Sequence, residues 1–279
     1  MKLEVGVSMP DFVTPDPEAD AERRFGGLRR LYGDAGYARI RALRVAIVGV
    51  GGVGSWAAEA LARSGVAALT LIDLDHVSES NINRQVQALG ATLGQAKVLA
   101  LRERIADIHP GCAVSCVEEF VDEDNWPGLL TGVVDGVIDA CDQVRAKATL
   151  AAWALSTNTP LVIAGAAGGK RRPKEVQVDD LALVTHDPLL AALRQRLRKQ
   201  HAAVRSGPFG LRCVYSRETV SPPEAGGDMD GSLNCHGYGS SVVVTATFGM
   251  VAAGLALEFA AAREEAAREP VIVEGLPGC

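Results

Sequence analysis

No two of the six cysteines, at 112, 116, 141, 213, 235 and 279, stand in a CxxC pair. A zinc ribbon or a thioredoxin-like centre would need that spacing, so neither is supported. Scattered cysteines in such a chain read as reduced thiols, which implies a cytoplasmic setting. The first twenty residues lack a continuous apolar core, which argues against a signal peptide. No GK[ST] follows the glycine cluster at 49–54, so a P-loop is excluded. Internal repeats and low-complexity tracts are absent as well.

What is present suits a soluble α/β protein. At 279 residues the chain can bury one large core or two modest ones without covalent staples. One segment, residues 237–257 (GYGSSVVVTATFGMVAAGLAL), carries no charge and is long enough to cross a bilayer. Small residues and valine dominate it, so it reads as a buried helix, at a subunit interface. Membrane contact is the other reading. The net charge of −6 would by itself argue against a nucleic-acid partner. The average conceals segregation: Lys170 to Arg217 holds eleven basic and four acidic residues, and the balance elsewhere is −13. Such a block suggests a cationic surface for a polyanion.

From Ala38 onward apolar strand patterns alternate with helical ones. Strands are expected near 45–50, 68–73, 113–118, 134–140 and 161–165, with helices at 53–64, 93–108 and 144–157. That order implies right-handed crossovers and a doubly wound, mostly parallel sheet of the Rossmann type. Past residue 170 the alternation fails. Residues 171–180 read as an edge strand, and DPLLAALRQRLRKQ as a helix capped by Asp187 with Pro188 at its first position. Residues 221–232 are acidic, rich in Gly and Pro, and read as a mobile loop.

Gly49, Gly51, Gly52 and Gly54 satisfy the G-x-G-x-x-G pattern directly after the first strand. They permit a tight turn and let backbone N–H groups approach a phosphate. Asp73 ends the second strand, where a carboxylate reaches ribose hydroxyls. An NAD-binding oxidoreductase or a nucleotide-sensing module fits this much equally well. The next stretch favours a nucleoside triphosphate. Arg84 and Lys97 follow Asp73 by 11 and 24 residues, placing two cations beyond the ribose carboxylate. Asp142, just past the fourth strand, suits Mg²⁺ held against phosphate oxygens.

Taken together, GVGGVGSWAAEALARSG, LIDLDHVSESNINRQ, GQAKV and IDACDQVRAK resemble the ubiquitin-activating-enzyme-like superfamily, whose members adenylate a carboxylate. RFGGLRRLYG, GAAGG, DPLLAALRQRLRK and VVVTATFGMVA are similar to a branch acting on threonylcarbamoyladenosine in tRNA. The resemblance implies one adenylating domain over 24–265, with a Rossmann-like core at 40–169 and a tRNA-facing, dimer-forming extension at 170–265. Residues 1–23 and 266–279 would be flexible tails.

The resemblance further implies that Gly49, Gly51, Gly52 and Gly54 contact ATP phosphates while Asp73 binds the ribose. Asn81, Arg84 and Lys97 would hold the triphosphate, and Asp142 would assist Mg²⁺. An arginine from the partner of a homodimer would complete each site. Arg24 and Arg30 are the candidates, Arg30 preferred, although the usual arginine-bearing motif is not reproduced. No zinc is implied, a monovalent cation is allowed, and a cysteine-desulfurase or sulfur-acceptor system is a conceivable partner. The implied reaction is ATP-dependent dehydration that cyclises the modified adenosine beside the anticodon through an acyl-adenylate. Cys235, beside His236, is the candidate thiol should a covalent intermediate be needed. Lys170, Arg171, Arg172, Lys174, Arg194, Arg196, Arg198 and Lys199 are the expected tRNA contacts. Adenylation of a sulfur-carrier C-terminus is the rival reaction, and it would not require that basic block.

Overall fold

The strand β1 (Arg44–Val48) is apolar in nearly every position because both of its faces are covered. Val45 and Ile47 pack into one layer, while Ala46 and Val48 pack into the opposite one. The same alternation recurs in β4 (Gly136–Asp139), β5 (Leu161–Ala164) and β7 (Arg212–Ser216). These coordinates are a computed structural model, which describes residues 17–201, 204, 206–221 and 238–262.

With β2 (Ala68–Ile72), β3 (Ala113–Val117) and β6 (Val176–Asp180), these strands form one seven-stranded sheet ordered β3-β2-β1-β4-β5-β7-β6. All neighbours are parallel except β6, which runs antiparallel to β7. The direction of winding reverses between β1 and β4. At such a switch point the loops leaving the carboxyl ends part and open a crevice.

The described helices are α1 (Pro17–Phe25), α2 (Gly27–Arg41), α3 (Gly54–Arg63), α4 (Lys97–Ile108), α5 (Val144–Thr157), α6 (Pro188–Gln200) and α7 (Val242–Ala262). Leu61 of α3, Leu101 of α4 and Phe248 of α7 cover one face. Leu150 of α5 and Leu193 of α6 cover the other, together with Trp126. Each fully buried side chain of this size contributes roughly 1.5–3 kcal/mol.

The doubly wound sheet matches expectation, and several local features depart from it. Residues 17–23, expected in a loose tail, belong to α1, which is held down by Arg24 donating to the carbonyls of Asp107 and Ile108 at the end of α4. The second expected helix begins at Lys97 rather than 93, because Gly94 has φ +81° and Ala96 pairs with His76 in an isolated antiparallel bridge. β7 was not anticipated. It slips between β5 and the edge strand β6, with Cys213, Val214 and Tyr215 wholly buried.

The apolar segment forms α7, whose mean hydropathy of 1.9 and length would suit a membrane span. Val244, Phe248, Ala252 and Ala253 instead share a core with α3 and β1, which makes it a structural helix of this fold. Arg39 of α2 closes its far end by donating to the carbonyls of Ala260 and Ala261. Gly169, at φ +70°, donates to the carbonyl of Gly239 and accepts from the amide of Ser221, each at 2.9 Å.

Candidate active site

The loop after β1 is shaped by contacts that only glycine permits. Gly49 has φ +82°, and a Cβ there would lie 2.9 Å from the carbonyl oxygen of Ala140. At Gly54 a Cβ would come within 1.8 Å of the carbonyl of Gly49. Gly49, Gly51 and Gly52 line the crevice, whereas Gly54 does not. Gly54, the first residue of α3, lets the helix pack against the loop.

Asp73, at the end of β2, accepts the Val50 amide on Oδ2 (2.8 Å) and the Asp75 amide on Oδ1 (2.9 Å). Burial pushes its carboxyl above the usual aspartate range, against the opposing pull of Lys97. Lys97 is the first residue of α4 and pairs with Asp75 at 2.6 Å. Its amide also donates to the Asp75 carbonyl at 3.0 Å. A cation at a helix N-terminus opposes the helix dipole, and Asp75 offsets this. An anion arriving there meets a positive side chain and a positive helix end together.

Arg84 follows a single 3₁₀ turn (Glu79–Asn81). Its carbonyl accepts the Trp56 indole N–H at 2.9 Å, while Nη1 donates to the Ser80 carbonyl and the Asn83 side chain. Asn81, on that turn, is 5% exposed. Its Oδ1 accepts the Ser78 amide at 3.0 Å and closes the turn that aims Arg84.

Asp142 is exposed on the loop after β4, and no described residue pairs with its carboxylate. Beneath it Lys147 is wholly buried and donates to Asp139 Oδ1 (3.0 Å) and the Ala164 carbonyl (2.8 Å). Burial opposes charge on Lys147, but the Asp139 carboxylate prevails and holds it above its usual value. The Cys141 thiol also donates to Asp139, and burial beside that carboxylate pushes its pKa up.

Asp73, Arg84, Lys97 and Asp142 thus line one crevice at the carboxyl ends of β1, β2 and β4. It is an open cleft with its mouth to solvent rather than a closed cavity. Sequence reasoning missed Gln85, which lines it at 5% exposure, and Gln87, which donates to the Val50 carbonyl at 2.9 Å. Their adjacency to Arg84 in NINRQVQ was the available signal. Thr245, contributed by α7, had none.

Among the described residues no three Asp, Glu, His or Cys side chains could hold a metal together. Mg²⁺ is ordinarily held by one or two carboxylates with phosphate oxygens and water, and the exposed Asp142 carboxylate at the crevice suits that role, with Asp75 and Glu119 also lining it.

The basic block is less free than its composition suggests. Lys170 is corrected: it is 2% exposed, and its ammonium donates to the Ser216 carbonyl at 2.9 Å. Arg194 is committed to the carbonyls of Leu181 and Val184, and Arg196 pairs with Glu123 at 3.2 Å. Arg198 lies over the Phe209 ring. Arg171, Arg172, Lys174 and Lys199 are exposed. Arg24 is spent on α4, whereas Arg30 is exposed on α2 and no described residue pairs with it. Cys235 and His236 lie outside the described residues.

A glycine loop, a carboxylate at the end of β2 and a cation pair at the switch point suit a nucleotide-binding fold, and the chain belongs to the ThiF family, whose profile matches residues 26–271. It is similar to the tRNA threonylcarbamoyladenosine dehydratase of Escherichia coli (strain K12), 44% identical over 86% of this chain and 94% of the relative. The enzyme of that name from Haemophilus influenzae is 39% identical over 83% and 90% of the two chains. A crystal structure of the Escherichia coli enzyme in complex with ATP superposes with a TM-score of 0.78 at 43% identity, covering 86% and 94%.

Proposed function

We propose that this chain is an ATP-dependent tRNA threonylcarbamoyladenosine dehydratase. The observation that carries the reading is the convergence of Asp73, Arg84, Lys97 and Asp142 on one crevice. Asp73 meets the ribose, and the loop amides of Gly51 and Gly52 receive phosphates, while the Gly49 amide is engaged with the Ile72 carbonyl at 2.8 Å. Arg84 and Lys97 neutralise the β- and γ-phosphoryl groups, and Asp142 would hold Mg²⁺, which would supply Lewis-acid charge at the phosphates.

The substrate carboxylate oxygen attacks the α-phosphorus, the bond to the β-phosphate oxygen breaks, and pyrophosphate leaves. An atom of the same side chain then attacks the activated carbonyl, releasing AMP and one proton. The net change is loss of one water. Carboxylate oxygen is a poor leaving group and AMP a good one, and ring closure gains effective concentration without an external nucleophile. No thiol is required by this route. Cationic groups placed before reaction stabilise the charge building on phosphorus.

A homodimer completes the reading: Arg30 on α2 reaches the partner's site. Arg171, Arg172, Lys174 and Lys199 provide the tRNA contacts, with the α6 face beside them. The decisive experiment incubates the protein with Mg–ATP and threonylcarbamoylated tRNA. Loss of 18 Da (about one water) from the modified nucleoside, with stoichiometric AMP, is expected. Adenylation of a protein C-terminus with no change in the tRNA would replace this reading by the sulfur-carrier reaction.

A further inference from the structure

Asp187 is 3% exposed and joins two parts of the molecule that the proposed reaction uses separately. Its Oδ1 accepts the Leu190 amide at 3.0 Å and so caps α6, the helix that carries Arg194, Arg196, Arg198 and Lys199. Its Oδ2 accepts the Ala166 amide at 2.9 Å, on the segment following β5. Gly165 and Ala166 line the nucleotide crevice, as does Leu189 in the first turn of α6. The contact is close enough that a Cβ on Gly165 would lie 2.2 Å from Asp187 Oδ2. One carboxylate therefore fastens a wall of the ATP site to α6, whose exposed cation is Lys199.

We propose that Asp187 is a positioning residue: it holds the Gly165–Ala166 wall in register with α6, so that tRNA seated on that helix delivers its modified nucleoside to the α-phosphate. The inference rests on the dehydratase reading and on α6 facing tRNA. A cap needs one acceptor, whereas this carboxylate uses two, and the second serves only the crevice. A misplacement of about 1 Å in a reacting geometry costs on the order of 100-fold, so the strap matters to turnover more than to either binding step.

The test separates the two jobs. Asp187→Ser keeps a good helix cap but is too short to reach Ala166 as well. Asp187→Asn keeps one acceptor oxygen and cannot receive both amides. For each variant we would measure melting temperature, ATP affinity, tRNA affinity and single-turnover AMP formation on threonylcarbamoylated tRNA. The expected result is ATP and tRNA affinities within about twofold of wild type and a single-turnover rate lowered about tenfold or more. Wild-type rates in both variants would overturn the inference and reduce Asp187 to a cap. A rate loss matched by equal losses of ATP affinity would overturn it too. If wild-type protein itself binds no tRNA and forms no AMP from it, the dehydratase reading fails instead, which this design distinguishes.

Discussion

Lys147 and Asp139 form an ion pair at 3.0 Å in which neither side chain meets solvent. Through it α5 is tied to the end of β4, and the same ammonium reaches the Ala164 carbonyl at the end of β5. The loop carrying Asp142 starts from this anchor. Lys147→Met leaves a buried carboxylate uncompensated and should destabilise the protein by about 3–5 kcal/mol. Adding Asp139→Asn should restore much of that loss. Thermal unfolding of the three variants decides it, and additive losses in the double variant would refute the pairing argument.

Arg84→Ala and Asp142→Ala should each slow AMP formation by about 10²–10³-fold. Both groups lie at the open crevice, so stability should change by no more than about 0.5 kcal/mol. Rapid-quench assays beside melting curves check both halves. Turnover like wild type in either variant would remove that residue from the site.

His109 ends α4 beneath α1 and α2, where Arg41 Nη1 contacts its Nε2 at 3.1 Å and the Phe25 ring meets it edge-on. Burial, with the Arg41 guanidinium beside it, holds its pKa below 6.5. The folded state then resists a proton that the unfolded chain accepts, so stability should fall as pH drops below about 6.5. His109→Gln should flatten that part of the profile. An unchanged slope between pH 7 and 5 in the variant would assign the effect elsewhere.

If Arg30 serves the partner's site, Arg30→Ala and Asp142→Ala are each inactive alone and complement one another. After subunit exchange an equal mixture should recover about a quarter of wild-type activity, since half the dimers hold one intact site. No recovery despite demonstrated exchange would place Arg30 outside the site.

Reversing Arg171, Arg172 and Lys174 to Glu should weaken tRNA binding and lower the salt dependence by about 0.7–0.9 logarithmic units per lost contact. ATP affinity should hold. Lys170 is left out because its burial withdraws it from any phosphate. Filter binding across a salt series that leaves the slope unaltered would exclude this surface.

The contrast between Lys97 and Lys170 shows what was legible in the chain. Lys97 could be assigned because its distance from a strand end, in a chain that alternates strand and helix, fixes where it emerges. Lys170 could not, because composition counts a cation without recording whether it folds inward. The Asp139–Lys147 pair was hidden for a similar reason: eight residues separate them across a strand end and a helix, a spacing no single periodicity reports. β7 escaped notice because its register is set by β5 and β6, both distant in sequence.

Gly169 binds Ser221 on one side and Gly239 on the other. Two points eighteen peptide links apart are therefore stitched to a single residue. A side chain at position 169 would carry its Cβ to within 2.7 Å of Val220 Cγ1 from a left-handed backbone, so the stitch holds only while that position stays glycine.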